Sequence, residues 1–203
     1  MAHVPCAVLL DLDGTLLDHE ATVTAALRAW LPTYGISEVE AVALVPVWIA
    51  LEQEHYPAWR AGEISFQEQR RRRLRDFLPV IDRSAIEDGL DAIFAEYLLG
   101  YERGWVAFDD AEPALRRVAA NGLRVGVLTN GQHAQQTAKL TAIGLREVCG
   151  EVFASSALSA GKSDPRSYLE ACRGLNVEPR QTLMVGDNHH EPARISTLRD
   201  LLM

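Results

Sequence analysis

The chain has 203 residues, 48% of them apolar and 24% charged, which suits a globular protein with one large domain or a core domain carrying an inserted smaller one. Its 28 acids outnumber its 20 bases for a formal net charge of -8, a surface that repels polyphosphate backbones and argues against general nucleic-acid binding. No uninterrupted apolar stretch approaches the roughly 20 residues of a membrane span, so no membrane partner is expected.

The opening run MAHVPCAVLLDLDG carries no leading basic residue and its apolar part is cut off at Asp11. It does not read as a signal peptide, and a cytoplasmic protein is expected. Cys6, Cys149 and Cys172 are odd in number and widely spaced, with no CxxC pair and no zinc spacing. They read as small apolar residues in a reducing compartment.

Taken in chain order, CAVLLDLD (6–13) is a short aliphatic run that predicts a buried strand ending on two carboxylates, Asp11 and Asp13. A long segment with helix signals and almost no strand signals follows, from about 18 to 108. Val23, Ala26, Leu27, Trp30, Leu31 and Tyr34 share one helical face, which Gly35 ends. Three capping boxes are proposed on Ser37 with Glu40, Ser65 with Glu68, and Ser84 with Glu87. The run Arg70–Arg73 reads as a solvated helix face, because four consecutive residues point in all directions around a helix. Leu90, Ile93, Phe94, Tyr97, Leu98 and Tyr101 form another stripe at 3.6-residue spacing. The segment reads as an inserted helical domain of about four helices, with Trp30, Trp48 and Trp59 in its core.

Beyond it, strands are predicted at RVGVLTN (124–130), EVFASS (151–156) and TLMVGDN (182–188), separated by helical patterns. DAEPALRRVAANG stops at Gly122 and GQHAQQTAKLTAIG at Gly144, while DPRSYLEACRGL starts on Asp164 as N-cap with Pro165 at the first turn. This alternation predicts an α/β fold with a doubly wound, Rossmann-like parallel sheet. The core domain is then 1–17 with 109–203, and the insert 18–108. In such sheets ligands bind at the carboxyl ends of the strands, where Asp11, Thr129 and Asp187 all fall. The insert, tethered at that edge, is placed to act as a lid.

Two carboxylates one residue apart repel each other and are costly to bury unless a cation joins them. Asp11, Asp13 and Asp187 offer the hard oxygen ligands that Mg²⁺ prefers. Lys162, in SAGKSDP, and the Thr129 hydroxyl supply donors for an anion. Gly14 and Thr15 follow the acid pair in a loop whose N–H groups form a candidate anion nest. The set describes a phosphoryl-transfer site with nucleophile, proton-transfer group, metal, lysine and hydroxyl.

DLDGT, TNG, the lysine before SDP, and GDN, in that order, resemble the four motifs of the haloacid dehalogenase-like (HAD) hydrolase superfamily, and the helical insert resembles its class I cap. The resemblance implies a phosphatase with Asp11 as nucleophile forming an aspartyl-phosphate. It makes Asp13 the residue that protonates the leaving alcohol and later activates water. Asp11, Asp187 and the Asp13 carbonyl would hold Mg²⁺. Gly14, Thr15, Thr129, Asn130, Gly131 and Lys162 would bind the phosphate, with Lys162 also restraining the nucleophile. The superfamily's dehalogenases lack the second acid, so Asp13 argues against dehalogenation.

The tail departs from that pattern. After GDN the text runs HHEPARISTLRDLLM, with Glu191 the candidate for a further acid and the last βα unit apparently missing, which would leave the strand at 182–186 as an edge. The expected substrate is a small phosphorylated metabolite, such as a sugar phosphate, nucleotide or phosphoglycolate-like acid, handled by a monomer or homodimer. A phosphomutase of the same superfamily and an idle binding protein with this fold are the alternatives.

Overall fold

The computed structural model describes residues 5–162 and 164–187. The chain divides into two compact units, Met1–His19 with Trp105–Met203, and Glu20–Gly104.

The first strand, β1 (Ala7–Leu10), is buried at every position. After it come α1 (His19–Trp30), α2 (Glu38–Ala43), α3 (Val45–Arg60), α4 (Phe66–Phe77) and α5 (Leu90–Arg103), with short 3₁₀ turns after α1 and α4 and before α5. The regular elements of the insert are thus all helical among its described residues, with five α-helices where about four were expected. Trp30 and Trp48 are buried and their rings lie 5.5 Å apart; Trp48 also packs on Phe77 at 4.7 Å and on Tyr97 at 4.6 Å. Trp59, half-buried, joins Tyr56 and Phe66 instead.

Two expectations for this unit are corrected. Ser37 and Glu40 form the full reciprocal capping box, but Ser65 makes half of one, because the Glu68 carboxylate turns to Arg75 and Arg72. Ser84 caps nothing: Glu87 opens a 3₁₀ turn whose N-cap is Ile86, and its carboxylate binds Arg75. The arginine run is not a uniformly solvated face either. Arg73 is buried, pairs with Glu52 at 2.6 Å and lies 4.3 Å over the Trp48 ring, while Arg70 covers Phe66 at 4.3 Å. A helix presents successive residues about 100° apart, so one of four arginines had to face inward, and the ring faces and Glu52 make that position tolerable.

The other unit resumes with α6 (Ala111–Ala120), β2 (Arg124–Thr129), α7 (His133–Ala142), β3 (Glu151–Ala154), α8 (Pro165–Gly174) and β4 (Thr182–Val185). The strands form one parallel sheet in the order β3-β2-β1-β4. Val8, Leu10, Val127 and Val185 face one core with Ala114, Leu115 and Val118 of α6 and Leu140 of α7. Leu9, Leu128, Phe153 and Met184 face the other with Ala171 and Cys172 of α8. Helices on both faces and strands buried on both sides are the doubly wound arrangement that the uninterrupted apolar runs predicted. Asp164 caps α8 by accepting from the Arg166 N–H at 2.9 Å. Among the described residues β4 pairs only with β1.

Candidate active site

Register decides which residues meet. Leu10 stands opposite Val127 on one side and Val185 on the other, all three strands running the same way. Asp11, the next residue after β1, therefore leaves the sheet at the same edge as Thr129 and Asp187. Its N–H donates to the Val185 carbonyl at 2.8 Å, which carries the pairing one step past the strand.

Asp11 and Lys162 are both buried, and the Lys162 ammonium contacts Asp11 Oδ2 in an ion pair. Asp11 Oδ1 accepts from the Leu12 N–H at 2.7 Å. Each charge offsets the other's desolvation, the condition under which a buried carboxylate and ammonium persist. Lys162 is held from behind, since its own N–H donates to Asn130 Oδ1 at 2.8 Å. The Asn130 side chain thus anchors the lysine loop to the end of β2.

Asp13 has partners that the sequence reading missed. Lys139 Nζ lies 2.6 Å from Asp13 Oδ1, and Gln136 Nε2 donates to Asp13 Oδ2 at 3.3 Å. Burial opposes the charge on Asp13, but the Lys139 ammonium, His19 and the two hydrogen bonds together outweigh it and hold the carboxyl below its ordinary range. The two hydrogens of the same Gln136 Nε2 are shared among Asp13 Oδ2, Thr129 Oγ1 at 2.8 Å and the Asn130 carbonyl at 2.9 Å. A signal for both residues existed. Gln136, Lys139 and Leu140 fall on one stripe of α7, so two polar residues occupy the inward face of a helix that starts at the site.

The nest expected at Gly14 and Thr15 is not formed. The Gly14 N–H donates to Leu17 O at 2.9 Å and that of Thr15 to Leu12 O at 3.3 Å, so the turn uses its own donors. Thr15 Oγ1 is buried with no hydrogen-bond partner among the described residues. Gly131 is similarly committed, its N–H donating to Ser155 Oγ at 2.9 Å. Gly14 has a different use: at φ +81°, a Cβ there would lie 2.4 Å from Asp187 Oδ2. Only a glycine lets the Asp187 carboxylate come so close to the Asp11–Asp13 loop. His189, His190 and Glu191, and the tail beyond them, lie outside the described residues.

A family model for haloacid dehalogenase-like hydrolases matches residues 7–191, nearly the whole chain. The chain belongs to the haloacid dehalogenase-like hydrolases. Among curated HAD relatives, a phosphoglycolate phosphatase of Rhodospirillum rubrum is 27% identical over 97% of this chain and 76% of its own length. A glyceraldehyde 3-phosphate phosphatase of Methanopyrus kandleri is 29% identical over 89% of this chain and 75% of its own. Both carry phosphatase names, in keeping with the phosphatase branch read from the motifs. Of solved HAD structures, the magnesium-bound HAD hydrolase YfnB of Bacillus subtilis superposes with a TM-score of 0.77 at 18% identity, covering 98% of this chain and 97% of that one. An L-2-haloacid dehalogenase of Xanthobacter autotrophicus gives 0.68 at 24% identity, covering 90% of this chain and 69% of that one. At such identities the structures establish the shared fold.

The HAD fold implies a divalent metal, and the residues here fit one. No cluster of three or more His, Cys, Asp or Glu suited to a metal occurs among the described residues. Mg²⁺ does not need such a cage, because it keeps several waters and takes one or two carboxylates together with substrate phosphate oxygens. The Asp187 carboxylate against Gly14, two residues past the end of the strand that pairs with β1, is a ligand of that kind. No helix among the described residues is long and apolar enough to cross a membrane.

Proposed function

We propose that this HAD hydrolase is a Mg²⁺-dependent phosphatase of small phosphomonoesters that works through an aspartyl-phosphate on Asp11. The observation that carries the reading is the buried Asp11–Lys162 pair at the end of β1, with Asp13 two residues on and Asp187 just past the end of the neighbouring strand β4. The names of the relatives, phosphatases of short phosphorylated acids and sugars, support the substrate class.

Asp11 is the nucleophile: an Asp11 carboxylate oxygen forms a bond to phosphorus while the bond from phosphorus to the ester oxygen breaks. Asp13, ionised beside Lys139 before substrate binds, takes up the proton carried by the monoanionic phosphate ester and passes it to the departing alkoxide. In the second step Asp13 removes a proton from water, the water oxygen bonds to phosphorus, and the Asp11–phosphorus bond breaks to release phosphate. A positioned acid–base group of this kind contributes about 10²–10⁴-fold. Lys162 and Thr129 hold phosphate oxygens, and Asn130 holds Lys162 in place. The carboxylates of Asp11 and Asp187 and the backbone carbonyl of Asp13 would hold Mg²⁺, which when bound offsets the negative charge on phosphate and carboxylates.

The test is a screen of the purified protein against phosphorylated metabolites, phosphoglycolate and sugar phosphates among them, with Mg²⁺ and with EDTA. Phosphate release that needs Mg²⁺ and vanishes in Asp11→Asn, together with an acid-stable, hydroxylamine-labile phosphoprotein in the wild type, is the expected result. Activity surviving Asp11→Asn would refute the aspartyl-phosphate route.

A further inference from the structure

Resting on that reading, we propose that Lys139 and Gln136 are positioning residues that fix the Asp13 carboxylate for proton transfer and tie it to the phosphate-binding end of β2. Both project from α7 into the protein, with 4% and 2% of their surface exposed. Each takes a different oxygen of Asp13, Lys139 the Oδ1 and Gln136 the Oδ2, so the carboxyl plane cannot turn without breaking one of the two contacts. The same Gln136 nitrogen reaches Thr129 Oγ1 and the Asn130 carbonyl. One amide thus couples the acid–base group on the β1 loop to the hydroxyl at the end of β2.

The arrangement is costly enough to need a purpose. A lysine buried among Leu140 and its neighbours has to give up hydration, and its ion pair with Asp13 recovers that only while the geometry holds. Gln136 Oε1 is buried and has no hydrogen-bond partner among the described residues, so the amide is oriented by its NH₂ side alone. Lys139 serves Asp13, and Gln136 serves both Asp13 and Thr129, the two acceptors placed in the proposed chemistry. A proton donor misplaced by a fraction of an ångström loses much of its effect, which gives the anchoring its value.

A structural role and a positioning role separate on the leaving group. The constant kcat/KM reports events up to cleavage of the ester bond. An alkyl phosphate needs the Asp13 proton at that step, whereas p-nitrophenyl phosphate expels a stable phenolate without it. In Lys139→Met and in Gln136→Leu, kcat/KM for the best alkyl phosphate of the screen is expected to fall ~30-fold or more, against no more than about three-fold for p-nitrophenyl phosphate. Asp13→Asn sets the upper limit of that difference, and Lys139→Arg, which keeps the charge, recovers part of the loss. Circular dichroism and thermal melts establish that each variant is folded. Equal losses on both esters in a folded variant, or no loss on either, would overturn the positioning role while leaving the phosphatase reading intact. Wild-type protein that hydrolyses neither ester would overturn both.

Discussion

The carboxylate of Asp187 occupies the place where a side chain on Gly14 would stand, 2.4 Å from where its Cβ would be. The two residues come from segments some 170 positions apart and meet because β1 and β4 are adjacent parallel strands. In Gly14→Ala the methyl group displaces Asp187, and alanine at φ +81° carries a further penalty of about 1–2 kcal/mol. The expected outcome is a melting temperature lower by roughly 2–6 °C. The Mg²⁺ concentration for half-maximal activity should rise about ten-fold or more, as it does when a metal ligand loses its orientation. Calorimetry and a Mg²⁺ titration of initial rates check the two parts separately.

The Asn130 side chain accepts from the Lys162 N–H, so under the proposed function it acts through Lys162 rather than on the substrate. Asn130→Ala removes the acceptor for the Lys162 N–H and frees the lysine loop. KM for the phosphate ester and the inhibition constant of inorganic phosphate should rise together by about five- to ten-fold, the equivalent of one hydrogen bond of ~1 kcal/mol or slightly more. If kcat alone falls, Asn130 has some other role.

Glu52 and Glu112 make a contrasting pair of tests. Glu52 neutralises buried Arg73, so Glu52→Gln leaves a guanidinium enclosed without its countercharge and should cost roughly 2–4 kcal/mol. Glu112 pairs with Arg116 in solvent, and Glu112→Gln should cost less than about 0.5 kcal/mol. Urea titration of both variants, followed by tryptophan fluorescence, measures the difference.

Hydrogen bonds from the Arg71 guanidinium hold the Asp91 carboxyl at about 2, below its ordinary 3.8. A carboxyl depressed on folding contributes stability that is present above its unfolded value and is lost as pH falls through the folded one. This contribution should therefore disappear between about pH 4 and pH 2. NMR titration of the Asp91 carboxyl should give a midpoint near 2, returning toward 3.8 in Arg71→Met.

Much of the core unit was legible beforehand because its elements are locally encoded. A buried parallel strand such as β1, Ala7–Leu10, is apolar at every position, and α8 announces itself with Asp164 and Pro165. The helical insert was legible in kind but less so in detail. Ser84 and Glu87 have the spacing of a capping box, yet Glu87 is drawn to Arg75, a contact that spacing cannot reveal. Arg73 looked like its three neighbours until the ring of Trp48 and the carboxylate of Glu52 distinguished it.

For the site, the order of DLDGT, TNG, Lys162 and GDN marked the family and its phosphatase branch through their resemblance to its motifs, and the short apolar runs before Asp11, Thr129 and Asp187 said where the strands end. Tertiary structure decided who holds whom. Strand register put Asp187 beside Gly14, and the packing of α7 turned Gln136 and Lys139 onto Asp13. Hydrogen bonds within the turn took the Gly14 and Thr15 amides that looked open. Residue types and local periodicity carry the first kind of information. The second depends on through-space distances between segments remote in the chain, which only packing sets.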